Sequence, residues 1–134
     1  MIMEIVLPGG DRVDAHLDGQ VIRTDQDGPA PEPFELFLAS IGTCAGIYIA
    51  RFCQKRQIPT DGIRIRQNAI HNQETRMFEK IDLEIQLPEG FPGRYRAAVI
   101  RAAEQCSVKK HLANPPEIIT RTSDGSSAMD RPAG

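Results

Sequence analysis

Pro31-Glu32-Pro33-Phe34-Glu35-Leu36-Phe37-Leu38-Ala39-Ser40-Ile41-Gly42-Thr43-Cys44-Ala45-Gly46-Ile47-Tyr48-Ile49-Ala50 is the stretch that decides the fold. Pro33 suits a first helical turn, where its missing N–H costs nothing. From Phe34 to about Gln57 only Gly42 and Gly46 interrupt a helical composition. At 100° per residue the apolar side chains cover nearly the whole circumference, and a polar end begins only at Arg51. Such a helix is central rather than amphipathic. The small residues Ala39, Gly42, Ala45, Gly46 and Ala50 let another backbone come close, which offsets the roughly 1 kcal/mol that each interior Gly loses against Ala.

Outward from this helix the pattern turns to strands. On the N-terminal side, short apolar runs are punctuated by Pro8-Gly9-Gly10-Asp11 and by Asp18-Gly19, a hairpin dipeptide, so residues 1–24 read as a small antiparallel meander. Three prolines in Pro29–Pro33 make the next segment a loop. On the C-terminal side Ile63-Arg64-Ile65-Arg66 alternates, and Ile81-Asp82-Leu83-Glu84-Ile85-Gln86-Leu87 alternates without exception. Pro88 ends that strand. A helix follows from about Arg94 to Gln105, then a junction at Cys106-Ser107, a short helix to Leu112 stopped by Asn114-Pro115-Pro116, and a last strand at Ile118-Ile119-Thr120. The order predicts an α+β architecture with helices on one side of antiparallel sheet. Sheet covers only one side of an all-round apolar helix, and homodimerisation supplies the rest. Residues 1–122 read as one domain and 123–134, polar and rich in Gly, Pro and Ser, as a frayed tail.

Composition narrows the function classes. The 134 residues suffice for one core without metal or disulfide staples. A net charge of -2 argues against a nucleic-acid binder, and the cluster Arg94, Arg96, Arg101, Lys109, Lys110 reads as the solvated face of the late helices. The uncharged run Leu36–Ala50 is 15 residues, short of the about 20 that span a bilayer, so no membrane partner is expected. Met1–Leu7 carries no basic n-region, which predicts a cytosolic protein. The histidines His16, His71 and His111 sit in separate segments without ligand spacing, and no phosphate loop follows a strand; neither a metal nor any other cofactor is expected.

Chemistry therefore falls to cysteine. Cys44 lies mid-helix among small residues, where the helix dipole gives no help; donors or a cation must come from elsewhere to activate it, and the competing reading is a small core hydrophobe. Cys106 precedes a short helix with Lys109 and Lys110 close behind, where amides and ammonium groups favour a thiolate; the competing reading is junction packing. Cys53, nine residues from Cys44, projects from the opposite face of the helix where it turns polar, with a half-buried sulfur expected.

The run Pro31 to Gly46 resembles the helix of the OsmC/Ohr family, with its Pro-x-Glu-Leu start and a reactive cysteine closing the apolar stretch. Leu87-Pro88-Glu89-Gly90-Phe91-Pro92 and Ala102-Ala103-Glu104-Gln105-Cys106-Ser107-Val108-Lys109-Lys110 are similar to the segment where that family places its second cysteine. The resemblance spans about Gly28 to Pro116. It implies antiparallel sheets packed on a long central helix, in an intertwined homodimer with active sites at the interface that reduce organic hydroperoxides. It further implies that Cys44 is the nucleophile that becomes a sulfenic acid and Cys106 the thiol that resolves it to a disulfide, with a thiol or dithiol reductant restoring both.

Two positions depart from that pattern. The family's peroxidases place a glutamate ten residues before the cysteine to hold an arginine against it; here that position is Phe34, and Glu35 stands one residue later. For the arginine, Gly9-Gly10-Asp11-Arg12 resembles a Gly-Gly-Arg of one subgroup, which favours Arg12 over Arg23 in the following strand. The sequence resembles the broader OsmC-like branch more than a typical Ohr protein. Two alternatives stay open beside a peroxidase: a redox sensor or other thiol-dependent protein, and a non-catalytic dimeric small-molecule binding module.

Overall fold

The computed structural model describes residues 1–123 and the backbone of Arg131–Pro132. The expected meander is a three-stranded antiparallel sheet of β1 (Glu4–Gly9), β2 (Arg12–Leu17) and β3 (Gln20–Asp25) in the order β1-β2-β3. Asp18 (φ 46) and Gly19 (φ 78) both take left-handed conformations between the paired residues Leu17 and Gln20. That is the two-residue turn whose twist matches antiparallel strands. The proline-rich loop is closed by the Asp25 amide donating to the Pro31 carbonyl at 3.1 Å.

Helix α1 (Pro33–Lys55) begins with Pro33 at its first turn. Its end is fixed by two reversed hydrogen bonds, Gln57 N–H to the Gln54 carbonyl and Ile58 N–H to the Cys53 carbonyl, with Gln57 left-handed at φ 56. This is a Schellman stop, and Ile58 packs on the cluster containing Cys53 as that motif requires. The second hairpin pairs β4 (Arg64–Asn72) with β5 (Met77–Gln86) in the register Ile65↔Ile85, Gln67↔Leu83 and Ala69↔Ile81. Those pairs share one face, the one that the alternation of Ile81 to Leu87 sends toward α1. Gln67 donates its side-chain amide to the Leu38 carbonyl at 2.9 Å, and a Cβ on Gly42 would overlap the Gln67 side-chain oxygen. The glycine is therefore what admits this contact.

After β5 the expected helix from Arg94 splits into a 3-10 turn, Gly93–Tyr95, and α2 (Arg96–Ala103). Helix α3 (Ser107–Ala113) follows the Cys106 junction. The last strand differs from expectation. Ile118 and Ile119 lie outside any strand and are exposed, and among the described residues the pairing falls on Arg121–Thr122 (β6) with Arg131–Pro132 (β7). Just after Pro115-Pro116, which offer no ladder donors, Ile118–Thr120 meets no strand edge among the described residues. Most of the tail read as frayed, 123–134, lies outside the described residues.

The core is built on one stripe of α1: Ile41, Ala45, Ile49 and Cys53, spaced by four, with Phe91, Val99, Ala103 and Cys106 buried opposite. The rest of α1 is less covered, and Phe34, Phe37 and Ile47 stay exposed. By length and composition α1 is also long and apolar enough to cross a membrane; here it serves as the helix on which hairpin β4–β5 and helices α2 and α3 pack. The β1–β3 sheet makes its principal contacts within itself and exposes Ile5, Leu7, Val21 and Ile22.

Cys53 corrects the expectation of a half-buried sulfur, because it is fully buried. The Schellman turn folds Ile58 back over it and so covers the polar end of the helix. Burial also pushes its thiol pKa up, only partly countered by the nearby Arg56. Cys53→Ala is expected to lower unfolding free energy by about 1 to 2 kcal/mol, measured by denaturant titration, and to leave any Cys44 chemistry within about threefold of the parent. Loss of that chemistry in a folded variant would place Cys53 in the reacting set.

Candidate functional site: a cysteine pair beneath a short helix

Two elements meet at the site. α1 carries Cys44, half-exposed on the flank of the helix, and the α2–α3 junction carries Cys106, buried, with extended backbone (φ -53, ψ 128) immediately before α3. Helix propensity continues past Ser107 but the Cys106 backbone is not helical, so the chain changes direction there and aims the first amides of α3 back at α1. The sulfurs are hydrogen-bonded to each other, and both thiols are free.

Burial raises the Cys44 pKa, yet hydrogen bonds from the Cys106 thiol and from the Val108 and Ser107 amides outweigh it and set Cys44 below the usual thiol range. For Cys106 the balance is reversed. Burial and its role as donor to Cys44 push its pKa up, and the Lys109 and Val108 amides only partly oppose that. The sequence assigns the thiolate-favouring amides to Cys106; in the fold they are shared, with Ser107 and Val108 serving Cys44 and Lys109 and Val108 serving Cys106. Lys109 is turned to Glu104 at 3.7 Å. The pair is thus polarised into a sulfur of lowered pKa, Cys44, and a neighbour of raised pKa, Cys106.

Removing the donor tests this polarity. In Cys106→Ala the pH midpoint of Cys44 alkylation is expected to rise toward the ordinary thiol range, because the thiolate loses a hydrogen bond that the neutral thiol does not need. Labelling at pH 7, followed by mass spectrometry of the Cys44 peptide, should slow by about threefold or more. A midpoint that stays put or falls would mean that Cys106 does not stabilise the thiolate.

The other expected residues lie elsewhere in the protomer. Glu35 accepts the Glu32 N–H at 2.9 Å and so closes the start of α1. Arg12 pairs with buried Asp14 at 2.9 Å within the N-terminal sheet, and Arg23 is exposed on β3 directly across from Asp14. Among the described residues, no group of three His, Cys, Asp or Glu could hold a metal ion. A cavity of about 330 Å³ opens beside Cys106, which walls it together with Ile41, Leu83, Ile100 and Leu112. A larger groove of about 510 Å³, between α1 and β4, is lined without any cysteine. Of the two, only the smaller and more apolar space borders a cysteine.

The OsmC-like protein family model matches residues 25–121, which takes in α1, the second hairpin, both late helices and the two cysteines. The chain belongs to the OsmC-like family. Among curated proteins none matches it. An OsmC-like fold is also what the solved structures show. A Psychrobacter arcticus 273-4 protein named for osmotic stress induction and a detoxification response superposes with a TM-score of 0.69 at 20% identity, over 81% of this chain and 85% of that one. An OsmC-like hydroperoxide resistance protein of Jannaschia sp. CCS1 gives 0.53 at 19%, over 95% and 93%. The organic hydroperoxide resistance protein OhrB of Bacillus subtilis gives 0.52 at 18%, over 86% and 93%.

Ser107 and Val108, as contributors to the Cys44 environment, and Tyr48, as the hydrogen-bond partner of Ser107, escaped the reading of the sequence. Two act through backbone amides, which no residue type betrays. The third sits one turn after Cys44, a spacing that could have singled it out.

Proposed function

We propose that this OsmC-like protein is a thiol peroxidase that reduces organic hydroperoxides through Cys44 and Cys106. The observation that carries the reading is the polarised pair, a low-pKa sulfur held by the thiol of its neighbour and by two amides. The Cys44 thiolate attacks the outer oxygen of ROOH; the O–O bond breaks, and the alkoxide leaves as the alcohol after taking a proton. Cys44 is then a sulfenic acid. The Cys106 sulfur displaces its hydroxyl, forming the S–S bond and releasing water. Closing that bond needs the sulfurs to move from hydrogen-bond contact to about 2.05 Å. A thiol or dithiol reductant returns both cysteines to thiols. The apolar cavity walled by Cys106 favours an organic group over bare hydrogen peroxide.

The proposal extends to a cytosolic homodimer. The uncovered apolar residues of α1 and the N-terminal sheet that packs chiefly on itself both suit a second copy. In that arrangement the N-terminal sheet of a second copy brings Arg12, in preference to Arg23, to the thiolate, with Glu35 as the acid that holds it. Counting free thiols before and after one equivalent of an organic hydroperoxide tests the chemistry. Two thiols should disappear per chain, and peptide mapping should find Cys44 joined to Cys106. An unchanged count would leave a binding module, and oxidation by disulfides but not by hydroperoxides would favour a redox sensor.

A further inference from the structure

Tyr48 lies one helical turn after Cys44, so the two side chains leave α1 on the same side, toward α3. Its hydroxyl makes a 3.1 Å hydrogen bond with the Ser107 hydroxyl, fifty-nine residues away in the chain. Ser107 follows Cys106 directly and opens α3. Helix α3 is weakly anchored in its own right, being seven residues long with no buried side chain. A helix of that length is marginal without tertiary contacts. The Tyr48–Ser107 bond is thus a fastener between the helix bearing the nucleophile and the turn whose amides face it.

We propose that Tyr48 is a positioning residue for Cys44, acting through Ser107 to hold the Ser107 and Val108 amides against the sulfur. The inference rests on Cys44 as the nucleophile but not on the identity of its substrate. With the bond in place, α3 cannot swing away from α1, and the amides stay at hydrogen-bond distance when Cys44 is ionised. Without it, the turn is free to move, and the thiolate loses donors that the thiol does not need. The hydroxyl is at the surface, so its removal leaves no buried orphan and little stability should be lost. Besides Tyr48, the titratable and charged groups around the pair are Cys106 at the junction, Glu104 with Lys109, then Lys110 and His111 on α3, and Arg51 one turn further along α1. His111 bonds the Ser107 carbonyl at 2.7 Å through its own Nδ1. All of these are common to the variants compared, so a shift between variants reports the fastener.

The test is the pH profile of Cys44 alkylation by iodoacetamide, read on the Cys44 peptide by mass spectrometry, in the parent, Tyr48→Phe, Ser107→Ala and the double variant. Each single change is expected to raise the midpoint by about half to one pH unit while the thermal midpoint stays close to the parent's. The double variant should shift no further than either single one, because both remove the same bond. A parent-like midpoint in Tyr48→Phe, or shifts that add in the double variant, would overturn the proposal. Should Tyr48→Phe fail to fold, Ser107→Ala decides alone, and a parent-like midpoint there overturns it equally. Hydroperoxide turnover, measured on the same samples, separates the two readings. A parent inert toward hydroperoxides whose Cys44 midpoint still rises in both variants sinks the peroxidase and sustains the role of Tyr48.

Discussion

Cys44→Ser is expected to lose hydroperoxide reduction altogether, by about a thousandfold or more in kcat/KM, while Cys106→Ser completes one turnover and then stops. The asymmetry follows from the polarity of the pair. Cys44 has the lowered pKa and, in the proposed mechanism, makes the first bond, and a serine hydroxyl in its place is not ionised at neutral pH. Cys106, held protonated, enters only afterwards. Its serine replacement still donates a hydrogen bond to the thiolate, so the first step survives and one equivalent of alcohol is released. The stranded sulfenic acid is then open to further oxidation, and excess peroxide should convert it to sulfinic acid, a mass gain on the Cys44 peptide. Rapid mixing with substoichiometric and excess hydroperoxide reads both phases. Equal multiple turnover in the two variants would refute the division of labour.

Ile47→Asp carries the second large effect. Ile47 stands on the side of α1 turned away from the buried stripe and is 44% exposed in the protomer, so a carboxylate there should barely disturb an isolated chain. If that surface is covered by a second copy, the same carboxylate must be desolvated without a partner, at a cost of several kcal/mol per site. Sedimentation equilibrium of the parent at micromolar concentration is expected to give twice the 14.8 kDa chain mass. The variant should run as a monomer or aggregate, with turnover falling in proportion to lost dimer if Arg12 is supplied across the interface. A parent that is a stable, monodisperse monomer, or a variant that dimerises like the parent, would exclude this surface as the interface.

The elements of the fold were legible because they rest on local rules. Period-two alternation from Ile81 to Leu87 places one face of β5 on α1 wherever the strand is put, and Asp18-Gly19 makes the turn because both positions must take positive φ. Pro33 and the long apolar run likewise define α1 without reference to anything distant. Ile118–Thr120 shows the limit of this reading. Its β-branched residues favour a strand, but a strand exists only where another edge accepts it, and the pairing falls instead on Arg121–Thr122.

The site divides in the same way. Sequence alone supplied the two cysteines worth examining and, through 100° arithmetic, set Cys53 on the opposite face from Cys44; the fold puts Cys53 in the core. It could not say which sulfur the amides after Cys106 would serve, because a hydrogen bond to a sulfur sixty-odd residues away depends on how α3 lies across α1. Nor could it foresee that Cys53 is fully covered, since that depends on Ile58 folding back over it. Local sequence determines which residues are helical, extended or apolar, since those choices are made within a few residues of chain. The protonation preference of each thiol was decided only by tertiary structure, because burial and donor geometry are set by segments that meet across the whole length of the protein.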